Sequence, residues 1–271
     1  MKTVAFQGEP GAYSERAVYQ FFDSTIKSQP CKDFREVFES VNKQKVTAGV
    51  VPVENSIEGS VNQNYDLFFD YNLKVRGEVI VRIEHCLIVN PNTNIDQIQA
   101  VYSHPQALAQ CHKYLENQRW EIIPTYDTAG SVKIIKEQKK LNAAAIASER
   151  AAQIYGMQIL SRNIADNKEN YTRFFVIDHE DAKFTGTDKT SIIFSAKHEP
   201  GSLYKALGEF AGRNINLTKI ESRPTKKTAW EYNFYLDFEG HRTEQKCKEA
   251  LLALEKHSMF VKVLGSYPKA A

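Results

Sequence analysis

The sequence is poor in cysteine, in long apolar runs and in surplus charge of either sign. Its four cysteines form no CxxC pair, which argues against a disulfide framework or a zinc knuckle. No apolar run approaches the ~18 residues of a membrane-spanning helix. Lysine and arginine total 35 against 33 acidic residues, so the net charge of +2 provides no field favouring nucleic acid or a membrane.

Common cofactor and catalytic motifs are also missing. The chain has no GxGxxG after its first apolar run, no GxxxxGK loop, no HExxH and no GxSxG, and its seven histidines do not pair at metal-ligand spacing. We therefore expect no cofactor and no metal. The start, MKTVAFQGEPG, reaches Gln7 and Gly8 before a signal-peptide core can form, so we expect a reduced cytoplasmic protein.

The first 180 or so residues alternate short apolar runs with helix-like stretches. This alternation is typical of an α/β layer structure, in which ligands bind where strands open into polar loops. The apolar runs predict strands at residues 3–6, 48–53, 79–83, 86–89, 100–102, 143–147 and 171–177. The periodic stretches predict helices after Ser14, as a cap, and at 34–41, 61–68, 105–115, 129–135 and 149–155.

A polar stretch, residues 179–188, follows without apolar periodicity and is interpreted as a linker. Beyond it the pattern predicts strands at 190–196, 214–220, 230–238 and 260–264, with helices after Ser202 and at 244–256. The order βαββαβ is that of a ferredoxin-like unit.

Six polar residues lie at the mouths of predicted loops. They could supply hydrogen bonds and one fixed positive charge to a small polar anion. They are Glu54, Asn55, Ser103, Gln110, Thr172 and Arg173.

Motifs spread over nearly the whole chain resemble one enzyme family. AFQGEPGAYSE, VPVENSIEGSV, IEHCLIV, YSHPQALAQC, DTAGS, AAIAS and DNKENYTRFFVI occur in the order found in prephenate dehydratases, and EPGSLYKALGEF and KIESRP resemble the ligand motifs of their C-terminal ACT regulatory domain. The resemblance implies a two-lobed catalytic domain like periplasmic binding proteins at 1–180, with lobes 1–78 plus 163–180 and 79–162, and an ACT domain at 189–271.

The implied reaction converts prephenate to phenylpyruvate with loss of carbon dioxide and water, within phenylalanine biosynthesis. Aromatisation drives it, which agrees with the absence of cofactor motifs. Thr172, in the TRF motif, is assigned to the departing hydroxyl as a proton or hydrogen-bond donor. Arg173 is expected to hold the pyruvyl carboxylate. Asn55 and Gln110 are expected to orient substrate oxygens without adding charge.

Several assignments have structural alternatives. Thr172 is alternatively an ordinary strand threonine, and Arg173 is alternatively the partner of Glu54 or Asp166 in a salt bridge. Glu54 would orient Arg173 or hold a proton if burial raises its pKa. Ser103 is catalytic or only a helix cap.

Further binding residues are implied for substrate and effector. Ser14 and Thr128, at loop-to-helix junctions, and Phe174 are expected to contact substrate. The effector phenylalanine is expected between ACT domains of a homodimer or homotetramer, where Lys205 replaces a usual glycine and weakens the expectation. The effector residues are Gly201, Leu203, Ala206, Leu207, Gly208, Asn214, Glu221, Ser222, Arg223 and Pro224.

Two other functions stay open from sequence alone. One is arogenate dehydratase, with the same chemistry on a substrate bearing an amino group. The other is a non-catalytic amino-acid-binding protein with the same fold.

Overall fold

The computed structural model describes residues 2–197, 199–225 and 231–270. It divides into two compact units, one of Met1–Phe69 with Val79–Phe174 and the other of Asp70–Glu78 with Phe175–Ala271. None of the helices in these described ranges is both long and apolar enough to cross a membrane.

The strands and helices follow the alternation expected from the sequence. The strands are β1 (Thr3–Gln7), β2 (Lys27–Cys31), β3 (Ala48–Asn55), β4 (Gly59–Ser60), β5 (Lys74–Arg82), β6 (Cys86–Val89), β7 (Ala100–Ser103), β8 (Glu121–Pro124), β9 (Ala143–Ala147), β10 (Gln158–Ser161), β11 (Tyr171–Asp178), β12 (Asp188–Ala196), β13 (Leu217–Pro224), β14 (Tyr232–Glu239) and β15 (Ser258–Pro268). The helices are α1 (Tyr13–Phe22), α2 (Phe34–Asn42), α3 (Asn62–Asp70), α4 (Pro105–Gln110), α5 (His112–Glu116), α6 (Thr128–Glu137), α7 (Glu149–Tyr155), α8 (Ser202–Ala211) and α9 (Gln245–His257).

Two sheets contribute to the first unit. One has the order β2-β1-β3-β11-β5 with β4 on β3, and β1 is parallel to both of its neighbours. The other has the order β10-β6-β9-β7-β8, in which β7 is parallel to β8 and β9 while β6 is antiparallel to β9 and β10. The predicted α/β fold class is confirmed. The exact lobe boundaries stay a prediction; the one placed between residues 78 and 79 falls inside β5, which continues to Arg82 within the first sheet.

The loops that carry the site start from strands whose side chains are buried. In β3 the pattern from Ala48 to Val53 is almost wholly buried, which explains why this run of alanine, glycine and valine forms a central strand. The strand ends at Asn55, itself only 5 % exposed, where polar side chains replace apolar ones.

Two of the predicted helices differ from those in the structure. Ser14 does not cap α1, because the N-cap position is Ala12 and Ser14 lies in the first turn of the helix. The single helix expected to place Leu108, Cys111 and Leu115 inward is broken in two at Cys111, where the backbone leaves helical geometry (φ −113°, ψ 22°). All three side chains are nevertheless buried in one apolar cluster.

The second unit contains the predicted βαββαβ order, formed by β12, α8, β13, β14, α9 and β15. Its antiparallel sheet has the order β13-β14-β12-β15. Helices α8 and α9 pack on the sheet through a core that includes Phe194, Phe210, Phe238 and Leu254. The predicted strand residue Trp230 lies outside the described residues.

The same unit also includes the first part of β5, up to Glu78, and the part of β11 from Phe175 onward. The backbone of Gly265 in β15 approaches that of Val75 in β5 so closely that a Cβ on the glycine would overlap the Val75 carbonyl oxygen. Lys189 in β12 forms a buried ion pair with Glu78 in β5, with Nζ 3.0 Å from Oε2. Because the Val75 backbone lies so close to it, position 265 requires glycine.

Candidate active site

A cavity of about 410 Å³ lies within the first unit. This volume is in the range of small-molecule sites, roughly 300–1,000 Å³. Its lining draws on loops from both sheets, which the topology brings together. Six of the residues predicted from the sequence line it, namely Ser14, Asn55, Gln110, Thr128, Thr172 and Phe174.

Helix N-termini surround this cavity. Residues at or within one turn of the starts of α1, α2, α3, α4 and α6 are in its lining. Each start presents backbone N–H groups and the positive end of the helix dipole, which favour an anion. Helix α1 follows Ala12, which offers no side-chain cap, so its first N–H groups are left for a ligand.

Formal charge in the lining is sparse. Among the described residues that line the cavity, Lys32 is the single lysine or arginine, and Asp33 and Asp127 are the carboxylates. Both aspartates cap helices, with Asp33 accepting from the Glu36 N–H and Asp127 from the Gly130 N–H. Burial raises the pKa of Asp127. The cavity is thus suited to an anion mainly through backbone dipoles.

Asn55 is held at the end of β3 by its own loop. Its Oδ1 accepts the backbone N–H groups of Ile57 and Glu58, each at 3.0 Å. Its Nδ2 lies 2.9 Å from Thr172 Oγ1 and 2.8 Å from Asn170 Oδ1. The amide therefore joins the end of β3 to the start of β11.

A chain of buried amides continues from Asn170. Its Nδ2 donates to Gln110 Oε1 at 2.9 Å, and the same oxygen lies 3.0 Å from His85 Nε2. Asn170 is fully buried, and His85 and Gln110 are 2 % and 9 % exposed. Burial lowers the pKa of His85, which favours the neutral imidazole. Four separate segments of the chain thus meet in one network.

Thr172 is one end of this network and lines the cavity together with Asn55, His85 and Gln110. Its Oγ1 accepts a hydrogen bond from Asn55, while its own hydroxyl proton has no acceptor among the described residues. A hydroxyl whose lone pair is engaged in this way is prepared to donate to a ligand.

Arg173 and Glu54 lie outside the cavity lining. Side chains alternate along β11, so Thr172 and Phe174 share one face and Arg173 is on the other. Arg173 Nη1 is 3.6 Å from Glu54 Oε2, and the arginine side chain is 11 % exposed. The geometry agrees with the salt-bridge alternative, and a direct catalytic role for either residue stays a prediction.

Ser103 and His104 occupy the turn before α4. Ser103 is fully buried and its Oγ donates to the Ile146 carbonyl at 2.6 Å, which ties β7 to β9. It does not cap α4, because the N-cap is His104, whose Nδ1 accepts the Gln106 N–H. Ser103 is not in the cavity lining, and its catalytic role stays a prediction.

The predicted effector residues at the start of α8 occupy different environments. Gly201 is the N-cap in a left-handed conformation (φ 81°), and Leu203 lines a second cavity of about 390 Å³ in the second unit. Ala206 is fully buried in the core, and Leu207 packs against it. A Cβ added to Gly208 would meet nothing within 4 Å.

The remaining effector residues follow α8. Asn214 lies in the turn after the helix with φ 51°. The ESRP segment, Glu221 to Pro224, forms the end of β13, an outer strand of its sheet, and Glu221 pairs with Lys219 at 3.3 Å. The binding roles of all these residues stay predictions.

Comparison with known proteins identifies both parts of the chain. A family model described as prephenate dehydratase matches residues 4–182. The chain belongs to the prephenate dehydratase family. A second model, the ACT domain, matches residues 190–256, so this prephenate dehydratase relative carries an ACT domain in its βαββαβ unit.

Named relatives of this dehydratase extend over almost its whole length. It is 45 % identical to the bifunctional chorismate mutase/prephenate dehydratase of Aquifex aeolicus, covering 98 % of this chain and 74 % of that one. It is 42 % identical to the prephenate dehydratase of Methanocaldococcus jannaschii, covering 98 % of both. It is 43 % identical to arogenate dehydratase/prephenate dehydratase 2 of Arabidopsis thaliana, covering 98 % and 72 %.

A solved structure is similar to both units. The prephenate dehydratase of Arthrobacter aurescens, in complex with L-Phe, has a TM-score of 0.90 and 30 % identity, covering 98 % of this chain and 90 % of that one. The fold and enzyme family predicted from the sequence motifs are therefore confirmed.

Sequence reasoning missed two residues of the buried network as functional candidates. His85 and Asn170 both lie inside quoted motifs, IEHCLIV and DNKENYTRFFVI, yet neither has a spacing that indicates chemistry. Only the fold brings them within hydrogen-bonding distance of Gln110.

Proposed function

We propose that this chain converts prephenate to phenylpyruvate in the cytoplasm, as a hydro-lyase of L-phenylalanine biosynthesis that uses no cofactor. The observation that carries the proposal is the position of Thr172, whose hydroxyl accepts from Asn55 and keeps its own proton for a ligand in the cavity. Family membership and the surrounding helix N-termini support an anionic substrate of this kind.

Binding of the dianion is assigned mainly to backbone donors. The uncapped start of α1, around Ser14, and the start of α6, at Thr128, would hold carboxylate oxygens. Lys32 adds a formal positive charge at the edge of this region. Phe174, only 2 % exposed, would give the ring an apolar wall.

The bonds that break are both on the ring. The bond from C4 to the hydroxyl oxygen breaks as Thr172 donates to that oxygen, which leaves as water. The bond from C1 to the ring carboxylate breaks as well, carbon dioxide leaves, and the electron pair enters the aromatic ring. A dianion becomes a monoanion, so one proton is taken up overall and solvent restores the threonine proton.

Neutral donors suit this loss of carboxylate. Asn55 and Gln110 would orient substrate oxygens without a full positive charge that would stabilise the departing carboxylate. We propose that Glu54 orients Arg173, and that Arg173 reaches the pyruvyl carboxylate only when it leaves that ion pair. Ser103 would act by holding β7, from which His104 and α4 continue.

The direct test is phenylpyruvate formation from prephenate, followed by absorbance. Thr172→Ala should lower kcat by about 10²–10⁴-fold, with little loss of thermal stability, and Thr172→Ser should retain part of the activity. Thr93→Ala, at a buried threonine of the same unit outside the cavity lining, should leave kcat unchanged. Wild-type rates in Thr172→Ala would refute the assignment.

Arogenate is the second candidate substrate, because the relatives include an arogenate dehydratase/prephenate dehydratase. The Asp33 and Asp127 carboxylates in the lining could pair with the ammonium group that arogenate carries. Comparing kcat/KM for the two substrates decides between them. We expect prephenate to have the higher value, and the opposite order would favour arogenate.

We propose that L-phenylalanine binds to the ACT unit and that copies of the chain associate through it as dimers or tetramers. The solved relative binds L-Phe, and the exposed apolar side chains Tyr204 and Ile220, 81 % and 46 % exposed, suit contact with a second copy. Isothermal titration and light scattering test both statements. A monomer without heat at millimolar phenylalanine would refute them.

A further inference from the structure

We infer that His85 and Asn170 are positioning residues that make Gln110 a hydrogen-bond donor toward the cavity, next to the donor Thr172 that Asn55 sets. The inference rests on the proposed function, since it assigns to the same cavity the groups that set the direction of its donors. The observation behind it is the buried chain of hydrogen bonds from Asn55 to His85. The donor and the acceptor of each bond in this chain follow from the bonds at its Asn55 end.

The direction of the hydrogen bonds is set first by two backbone N–H groups, which can only donate. The N–H groups of Ile57 and Glu58 both point to Asn55 Oδ1, so that atom is the oxygen of the amide. The other atom of the Asn55 amide is then the nitrogen, which can only donate. Its two shortest contacts are with Asn170 Oδ1 and Thr172 Oγ1, at 2.8 and 2.9 Å, and a longer one of 3.2 Å is with the Tyr171 carbonyl. No choice of amide orientation remains at Asn55.

The same logic fixes the next three groups. Asn170 Oδ1 accepts from Asn55, so its nitrogen donates to Gln110 Oε1. An amide oxygen cannot donate, so the contact between Gln110 Oε1 and His85 Nε2 requires a proton on Nε2. His85 is therefore the Nε2–H tautomer, and Gln110 Oε1 receives two hydrogen bonds.

The contact at the opposite ring nitrogen is longer, so the 3.0 Å contact between Nε2 and Gln110 Oε1 decides the tautomer. His85 Nδ1 is 3.4 Å from the Tyr13 hydroxyl, but that hydroxyl donates to the Glu84 carbonyl at the shorter distance of 2.6 Å. Tyr13 also packs edge-on against the imidazole, with ring centroids 5.9 Å apart. The ring is therefore held in place while its proton stays on the side of Gln110.

Two donors result at the edge of the cavity. Thr172 keeps its hydroxyl proton because its oxygen accepts from Asn55. Gln110 keeps its NH₂ group available because its oxygen is turned to His85 and Asn170. Among the described residues, that nitrogen has one long contact of 3.5 Å, with Glu58. A Gln110 amide turned over would instead present an acceptor to a dianion, which repels it.

The test replaces the donor at position 85 without changing the rest of the site. His85→Leu removes the Nε2–H, so Gln110 loses one of its two fixing bonds, and kcat should fall about 10²-fold while KM changes little. His85→Gln places an amide N–H near the position of Nε2 and should restore most of the kcat. Asn170→Asp cannot donate to Gln110 and should behave like His85→Leu.

Controls separate this role from a purely structural one. His241→Gln, at a buried histidine of the second unit, should leave kcat unchanged. If all His85 variants lost activity in proportion to thermal stability, without rescue by glutamine, the inference would be wrong. A wild-type enzyme that does not consume prephenate would instead refute the proposed function.

A spectroscopic readout is independent of turnover. Two-bond ¹H–¹⁵N correlation spectra of the wild-type histidine rings distinguish the two neutral tautomers and the imidazolium. We expect the His85 ring at neutral pH to carry its proton on Nε2. A ring protonated only on Nδ1 could not donate to Gln110 and would overturn the inference.

Discussion

The two units contain buried polar systems of opposite kinds. In the first unit the network from Asn55 to His85 consists of neutral amides and an imidazole whose pKa is lowered by burial. In the second unit Lys189 and Glu78 form an ion pair with side chains only 9 % and 2 % exposed. A pair of full charges is buried between β12 and β5, and neutral donors border the cavity where we propose that an anion reacts.

The two arrangements differ in what they control. The ion pair has little directional choice, since the ammonium contacts both Glu78 oxygens at 3.0 and 3.2 Å, and the Ala270 N–H donates to Oε1. The amide network transmits direction from one group to the next. Changes to the first system should therefore act on stability, and changes to the second on catalysis.

The largest expected effect comes from leaving one buried charge without its partner. Glu78→Ala should lower the free energy of unfolding by about 3–5 kcal/mol, because Lys189 stays buried without its carboxylate. The double variant Glu78→Gln/Lys189→Met keeps an acceptor for Ala270 and should recover most of the loss. Urea unfolding measures both, and a single variant as stable as wild type would contradict the comparison.

The next effect should appear in turnover. Asn55→Asp keeps acceptors for the Ile57 and Glu58 N–H groups but cannot donate to Thr172, whose hydroxyl would then turn toward the carboxylate. We expect kcat to fall about 10²-fold, or roughly 2.7 kcal/mol in the activation barrier. Steady-state kinetics measure this.

A matched amide provides the control for that change. Asn90 donates to the carbonyls of Ile135 and Lys140 in the same unit and lies outside the cavity lining. Asn90→Asp should lower the melting temperature without lowering kcat. If both variants reduced kcat equally, the directional role of Asn55 would be lost.

A smaller effect is expected at the effector region of the second unit. Lys205 stands in α8 at the position where the resemblance to ACT domains implies a glycine, and it adds a Cβ and a charge. Lys205→Gly should tighten phenylalanine binding about tenfold, or 1.4 kcal/mol, as measured by titration calorimetry. Lys205→Ala separates the charge from the Cβ, and unchanged affinity in both variants would remove Lys205 as a determinant.

The smallest effect concerns pH. Burial lowers the pKa of folded His85 below its ordinary value of 6.5, so below that pH the unfolded chain binds a proton that the folded chain does not. The contribution of neutral His85 to stability is complete above pH 6.5 and is lost as the pH falls toward the folded pKa. The melting temperature should fall less steeply below pH 6.5 in His85→Gln than in wild type, and equal slopes would contradict this.

The sequence predicted central elements better than edges. Four strands were not indicated: β2, β8 and β10, each at the end of a sheet order, and the two-residue β4, which pairs with β3 beside that order. Edge strands are partly exposed and carry polar residues or proline, as in Lys27–Cys31, so they lack the buried pattern from which strands are inferred. The break between α4 and α5 at Cys111 could not be predicted from the sequence either, because the helical spacing of apolar residues continues through it.

The site was predictable as a set of residue types but not as a set of bonds. Motifs indicated Asn55, Gln110 and Thr172, and the structure places all three at one cavity. Strand alternation alone predicted that Arg173 and Thr172 point to opposite faces, but only the structure shows that Glu54 and not Asp166 lies 3.6 Å from Arg173. The roles of His85 and Asn170 depend on their contacts with Gln110, which is 25 residues from His85 and 60 residues from Asn170 along the chain. No local sequence pattern encodes such contacts.

The helix starts that surround the cavity have one more consequence. Peptide N–H groups do not titrate in the physiological range, and they cannot be acetylated as lysine can. The attraction that we propose for the starts of α1 and α6 would therefore persist in alkaline solution, where a lysine-lined pocket would lose its charge.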